Sequence, residues 1–267
     1  MTFREALQRK DFIITAEICP PRGTEVDDFL RKGRLLKKYL DAINITDNQS
    51  AVMRLSSLGA SALLVQESIE PIFQLTCRDR NRLALQSDLL GAWVLGIRNV
   101  LALTGDHVIF GNHKEAKPVF DVDSIHLIQI ISSLNNGYDM MGTKLKGGTD
   151  FVIGAVVAPE AEPVELQLMK FEKKVRAGAV FFQTQAVFDL KKVEKFYKFA
   201  SSYPVKIIAG VLLIKSVKMA HFLNERVPGV KVPESLIRDL ETSPDPLTHA
   251  IGWASEQIRS LRDFAHG

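Results

Sequence analysis

The strongest constraint on this chain is a rhythm. Seven short runs of β-branched and apolar residues recur along it: "FIITAEI" from Phe12, "AINIT" from Ala42, "IFQLTC" from Ile72, "NVLALTG" from Asn99, "DFVIGAVV" from Asp150, "AVFFQTQ" from Ala179 and "KIIAGVLL" from Lys206. Most begin about 30 residues after the one before, the length of a strand, a crossover helix and their turns. The intervening segments have helical periodicity. Val26, Phe29, Leu30 and Leu40 mark one apolar face, and Thr24 with Asp27 reads as a capping box at its start. Leu83, Leu90, Trp93 and Val94 mark a second helix. Ile125, Ile128 and Ser132 mark a third, closed by Gly137, and Leu168, Phe171 and Val175 a fourth, closed by Gly178. Alternating β and α elements predict a parallel sheet in a single domain over residues 1–267.

Strands this apolar are covered on both faces, which leaves a doubly wound sheet or a closed (β/α)8 barrel. The doubly wound dinucleotide fold needs a glycine fingerprint after its first strand. That place holds "CPPRG" at residues 19–23, so a TIM-type (β/α)8 barrel is the predicted fold. Only seven strands are recognisable. Broken helical pieces follow the seventh, then a helix near residues 251–264 and the final "AHG". The eighth strand is therefore expected to be missing, or the barrel to close by another route.

Composition narrows the function classes. A net charge of +3 spread along the chain gives no nucleic-acid footprint. The opening "MTFREALQRK" is charged and amphipathic, unlike an apolar leader. No apolar run reaches the roughly 18 residues that cross a bilayer, so no membrane association is expected. Cys19 and Cys77 are too few for an iron–sulfur cluster or a structural zinc site unaided. Free thiols in a reducing cytosol are the expectation. The six histidines are scattered, and no metal site is expected. "KLKGGTD" from Lys144 reads as a plain loop ahead of a strand, and residues 107–120 as a loop over the barrel mouth.

In a parallel barrel the site gathers at the carboxyl ends of the strands. The polar residues there are Glu17, Asn44, Thr46, Gln74, Thr76, Thr104, Asp106, Glu160, Gln183 and Gln185. Asp106 and Glu160 also suit a helix cap. Glu17 does not, since Thr24 takes that part. Pro20 and Pro21 donate no backbone hydrogen bond and stiffen the turn, holding Glu17 at the rim among apolar neighbours. A carboxyl so placed has a raised pKa and suits a general acid.

The motifs "AEICPPRG", "LALTGDH", "PEAEP", "KKVRAGA" and "QTQAVFD" resemble those of the methylenetetrahydrofolate reductase family, in the family's order and at similar spacing over most of the chain. The resemblance implies a flavin-binding (β/α)8 barrel that reduces 5,10-methylenetetrahydrofolate to 5-methyltetrahydrofolate. By it, Glu17 matches the general acid, Asp106 the aspartate beside flavin and folate, and Gln185 the residue that orients folate. Asn44, Thr46, Gln74, Thr76, Thr104, Gly105, Asp106, Ala158 and Lys174 fall at cofactor-binding positions. Several depart from the family pattern: Thr104 replaces an arginine, Gln74 a histidine, Ala158 a tyrosine and Gln167 an acid. FAD is the family default and FMN the alternative.

The position that stacks on nicotinamide and folate is Val217, which disfavours direct reduction by NAD(P)H. The resemblance then implies electrons from an iron–sulfur partner subunit or ferredoxin, within an oligomer or complex, with NAD(P)H the alternative donor. Two other classes remain. One is a non-catalytic, flavin-holding subunit. The other is a Schiff-base aldolase or lyase barrel, for which Lys206 stands at the wrong end of its strand.

Overall fold

The computed structural model describes residues 1–227 and 229–267. Its strands are β1 (Thr15–Ile18), β2 (Ala42–Ile45), β3 (Pro71–Thr76), β4 (Asn99–Leu103), β5 (Val152–Val157), β6 (Phe181–Ala186) and β7 (Lys206–Gly210). They are hydrogen-bonded in chain order from β1 to β7. The β1–β2, β2–β3, β3–β4 and β4–β5 pairs are parallel. Helix α1 (Phe3–Arg9) precedes the sheet. Helices α2 (Asp27–Leu36), α3 (Ser57–Gln66), α4 (Arg82–Val94), α5 (Ser124–Asn135), α6 (Val164–Ala177) and α7 (Leu190–Ala200) connect the strands. After β7 come α8 (Val217–Arg226), α9 (Glu234–Thr242) and α10 (Pro246–Leu261). This alternation, with strands in sequential order, is that of a (β/α)8 barrel. Strands β2 and β3 are buried along their whole length, the state their unbroken apolar runs require.

The chain divides into two compact units. The first comprises Met1–Ala155 and Lys173–Phe181, and the second Val156–Glu172 and Phe182–Gly267.

In the first unit, the capping box stands at Thr2 and Glu5, where Glu5 N donates to Thr2 Oγ1 (3.2 Å) and Thr2 N to Glu5 Oε2 (2.8 Å). The predicted box at Thr24 does not form. Helix α2 starts at Asp27, and its N-cap, Val26, makes no side-chain bond. The bend after the two prolines carries the chain past Thr24 before helix begins, and Asp27 and Asp28 face the positive helix end instead. Gly137 (φ +80°) closes α5 and Gly178 (φ +120°) closes α6, as the sequence predicts.

The predicted apolar face of α4 is corrected. Leu83 and Val94 are 72% and 84% exposed, while Leu85, Leu89 and Ala92 are buried. Two apolar stripes compete on this helix, and the one carrying Leu85, Leu89 and Ala92 is the buried one. In β5, a Cβ on Gly154 would stand 2.2 Å from Cζ of Phe181, whose buried ring meets Phe3 edge-on at 5.1 Å. Gly154→Ala is accordingly expected to destabilise the fold by about 1–3 kcal/mol through overpacking. A thermal melt in which the variant matches the parent would refute that reading.

In the second unit, Phe171 packs on Phe182 at 4.4 Å and on Phe196 at 5.4 Å. A further apolar cluster joins Ile214, Ala220, Leu236, Ile237, Leu240 and Ala250 from the region of α8, α9 and α10. No regular eighth strand occurs among the described residues. The final residues nevertheless lie along β7, where Ala209 N donates to Gly267 O (2.8 Å) and Ile207 N to His266 Nδ1 (3.1 Å). Burial lowers the His266 pKa, which suits a ring nitrogen that accepts.

Candidate active site

In the first unit the polar residues stand at the carboxyl ends of β1 to β4. Glu17 is the next-to-last residue of β1 and pairs in register with Asn44. Its carboxylate is held from both sides: Gln74 Nε2 donates to Oε2 (2.9 Å) and Gln49 Nε2 to Oε1 (3.2 Å). Water reaches this side chain from the rim. The chain packed around it still removes enough hydration to push its pKa up, against the pull of the two amides. The two prolines fix the turn through their carbonyls, which accept from Arg54 Nη1 (3.0 Å, Pro20) and Leu55 N (2.8 Å, Pro21).

Asn44 is buried and its amide faces Ala16 O at 3.5 Å. Thr46 is buried, and its hydroxyl has no hydrogen-bond partner. Thr76 donates through N (2.9 Å) and Oγ1 (2.8 Å) to Asp47, whose side chain is fully buried. Arg80 reaches the same carboxylate at 2.8 Å and also Asp88 at 2.8 Å. Arg78, only 1% exposed, pairs with Asp79 and faces the carbonyl of Asp106 at 3.4 Å. Gly105 combines φ +91° with close contacts, since a Cβ there would stand 3.0 Å from Thr76 and 3.1 Å from Arg78. A side chain is thus excluded immediately before Asp106, whose own side chain is exposed. Thr104 Oγ1 accepts from Ser124 N (3.3 Å) at the start of α5, beside the capping residue Asp123.

The loop over residues 107–120 contains one 3-10 turn, Val108–Phe110. It is tied to the end of β3 by Phe120 N to Cys77 O (3.2 Å) and Val119 N to Arg78 O (2.8 Å). Lys174, on the part of α6 that belongs to this unit, is half-buried.

In the second unit, Ala158, Gln167 and Gln185 line one cleft of about 1350 Å3, together with Phe188, Lys192 and Val230. Glu160 takes the capping role open to it in the sequence. Its Oε1 accepts from Phe188 N (2.6 Å) and Asp189 N (2.8 Å) ahead of α7. Val217 opens α8 and packs on the apolar cluster of α8 to α10.

The sequence pattern does not single out Gln49, Asp47, Arg78 or Arg80. Charged residues after a strand normally read as solvated. The usable signal was density: "TCRDRNR" from Thr76 puts three arginines directly after a fully buried strand. Among the described residues there is no group of three side chains able to hold a metal ion, and no helix long and apolar enough to cross a membrane.

Fold and site together define a (β/α)8-type barrel with a buttressed carboxylate at the carboxyl end of its first strand. The profile of the family described as methylenetetrahydrofolate reductase matches residues 2–264. A 5,10-methylenetetrahydrofolate reductase of Pectobacterium carotovorum is 26% identical over 231 residues, covering 80% of this chain and 70% of that protein. Methylenetetrahydrofolate reductase 2 of Schizosaccharomyces pombe is 28% identical over 225 residues, 78% of this chain but 34% of its own length. Among solved structures, a Clostridium thermocellum protein described as binding two copies of 5-methyl-5,6,7,8-tetrahydrofolic acid superposes with TM-score 0.70 at 17% identity. It covers 99% of this chain and 87% of its own. The chain belongs to the methylenetetrahydrofolate reductase family.

Proposed function

We propose that the protein reduces 5,10-methylenetetrahydrofolate to 5-methyltetrahydrofolate, with Glu17 as general acid. The observation that carries this reading is the Glu17 carboxyl held between two amides at a strand end, where the packed chain around it acts to raise its pKa. Opening the imidazolidine ring of the substrate needs a proton on the departing ring nitrogen, and a carboxyl whose pKa is raised holds a proton for that step better than an ordinary one. The Asp106 carboxylate stabilises the methylene-iminium cation that ring opening produces. The Clostridium thermocellum relative in fold, described as binding 5-methyl-5,6,7,8-tetrahydrofolic acid, supports folate as the ligand class.

The buried, unpartnered Thr46 hydroxyl fits a flavin contact, because a buried hydroxyl without a partner carries a desolvation cost that a ligand atom removes. We propose that Asn44, Thr46, Thr76 and Gly105 in the first unit, with Lys174, hold that cofactor. A bound flavin would supply the hydride that reduces the exocyclic carbon. Gln74 belongs rather with Glu17, to which it donates. FAD is the proposed flavin by the family's default, with FMN the alternative because Thr104 stands where the family has an arginine. Val217 offers no aromatic face to a nicotinamide, so the proposed electron source is a redox partner subunit, with NAD(P)H the alternative. Both thiols are free. Burial pushes the pKa of the Cys77 thiol up to about 12, so it is a poor nucleophile.

The test is anaerobic. The purified full chain is expected to show a flavin absorption band and to form 5-methyltetrahydrofolate once its flavin is chemically reduced. Absence of turnover with reduced flavin bound would overturn the assignment. Complete reduction by NADH alone, as fast as turnover, would overturn the partner route.

A further inference from the structure

The geometry points to Gln49 as a positioning residue for Glu17, locked in its working orientation by the Cys19 thiol. This rests on the reading of Glu17 as the acid. Gln49 Nε2 donates to Glu17 Oε1 at 3.2 Å, and Cys19 Sγ donates to Gln49 Oε1 at 2.9 Å. An amide oxygen accepts and its nitrogen donates. A thiol proton on the oxygen side therefore decides which end of the amide faces the carboxylate. Without it, the amide can turn and present its oxygen to an anion, which repels it.

The backbone shows that this arrangement is built. Gln49 sits on a 3-10 turn, Gln49–Ala51, in which Ser50 (φ 55°) and Ala51 (φ 56°), with Asn48 (φ 46°) just before it, take left-handed conformations without being glycine. Such strain persists only where the surroundings over-determine it. Here they do. Arg54 N donates to Asn48 Oδ1 (2.9 Å), and Arg54 Nη1 donates to Pro20 O (3.0 Å), next to Cys19. Met53 N donates to Asn112 Oδ1 (3.0 Å). On the outer side Gly111 approaches so closely that a Cβ would stand 1.8 Å from the Ala51 carbonyl oxygen. The turn is clamped between the end of β1 and the loop after β4, with Gln49 aimed at Glu17.

Gln74 from β3 is the counterpart on the other carboxylate oxygen. The two amides, Gln49 and Gln74, hydrogen-bond the two oxygens of the Glu17 carboxyl. Asn44 from β2 is its uncharged register partner. The orientation of one amide therefore bears directly on how readily Glu17 releases its proton.

The test follows the Glu17 carboxyl by NMR in full-length protein labelled with 13C at glutamate side chains, with Glu17→Gln identifying its signal. Removing the amide donor in Gln49→Leu is expected to move the Glu17 titration to higher pH. Cys19→Ala is expected to move it the same way, because the amide loses its lock. Cys19→Ser, which keeps a donor, is expected to return it towards the parent. In the Gln49→Leu background, Cys19→Ala should add nothing, since the thiol acts through Gln49. An unmoved titration in Gln49→Leu and Cys19→Ala overturns the inference, as does a Cys19→Ala shift that persists without Gln49. These midpoints do not depend on turnover. Failure of Glu17 as the acid would appear separately, as undiminished folate reduction by Glu17→Gln.

Discussion

Glu17→Gln is expected to slow methylenetetrahydrofolate reduction by about 10²–10⁴-fold, the usual loss when one general acid is removed. The same change should make the fold more stable at alkaline pH. Burial raises the folded-state pKa of Glu17 above its unfolded value. The folded state thus holds its proton more tightly, and this stabilising contribution is fully present below the unfolded pKa. It is lost as pH rises through the folded value. Above that pH the parent carries a carboxylate that the surrounding chain partly desolvates, which glutamine replaces with a neutral amide of similar shape. The melting temperature of Glu17→Gln should therefore exceed the parent's at alkaline pH, with the gap closing in acid. A variant that turns over at the parent rate removes Glu17 from the chemistry. A melting difference that ignores pH removes the argument from burial. Opposite effects on rate and stability are the expected signature of a group placed for function against the preference of the fold.

The order of the strands and the place of Glu17 were legible in the sequence for related reasons. A strand covered on both faces, as β2 and β3 are, admits almost nothing polar, so apolar runs stand out; β1 is only partly buried, and Glu17 stood out there because a carboxylate closes an otherwise apolar run. Helix faces were less legible. Helix α4 carries apolar residues on two stripes, and only tertiary packing chooses Leu85, Leu89 and Ala92 over Leu83 and Val94. The cap at Thr24 failed because cap patterns are short, and the stiff turn at Pro20–Pro21 displaced the helix start. Gln49 was invisible for a different reason. Its importance comes from three left-handed residues and a thiol thirty positions earlier, and neither leaves a periodic trace.

The buried ion pair beneath the rim should dominate stability. Asp47→Ala is expected to cost about 3–5 kcal/mol, because removing one partner strands the other as an uncompensated charge. Asp47 has a fully buried side chain, and Arg80 is 15% exposed, so water cannot take over the lost contact. Arg80 would keep its pair with Asp88, and both the backbone N–H and the hydroxyl of Thr76 would lose their acceptor. For a chain of this size the loss corresponds to a fall in melting temperature on the order of 10 °C. Arg80→Ala should act in the same direction, and the double variant should cost clearly less than the two single losses combined, since the residues share one interaction. The exposed Lys198–Glu194 pair on α7 is the control: at 75% and 45% exposure it should contribute no more than about 1 kcal/mol. Thermal melts of the four variants decide the matter. Equal small losses at Asp47 and Glu194, or strict additivity at Asp47 and Arg80, would show that the rim of β2 and β3 is held by something other than this pair.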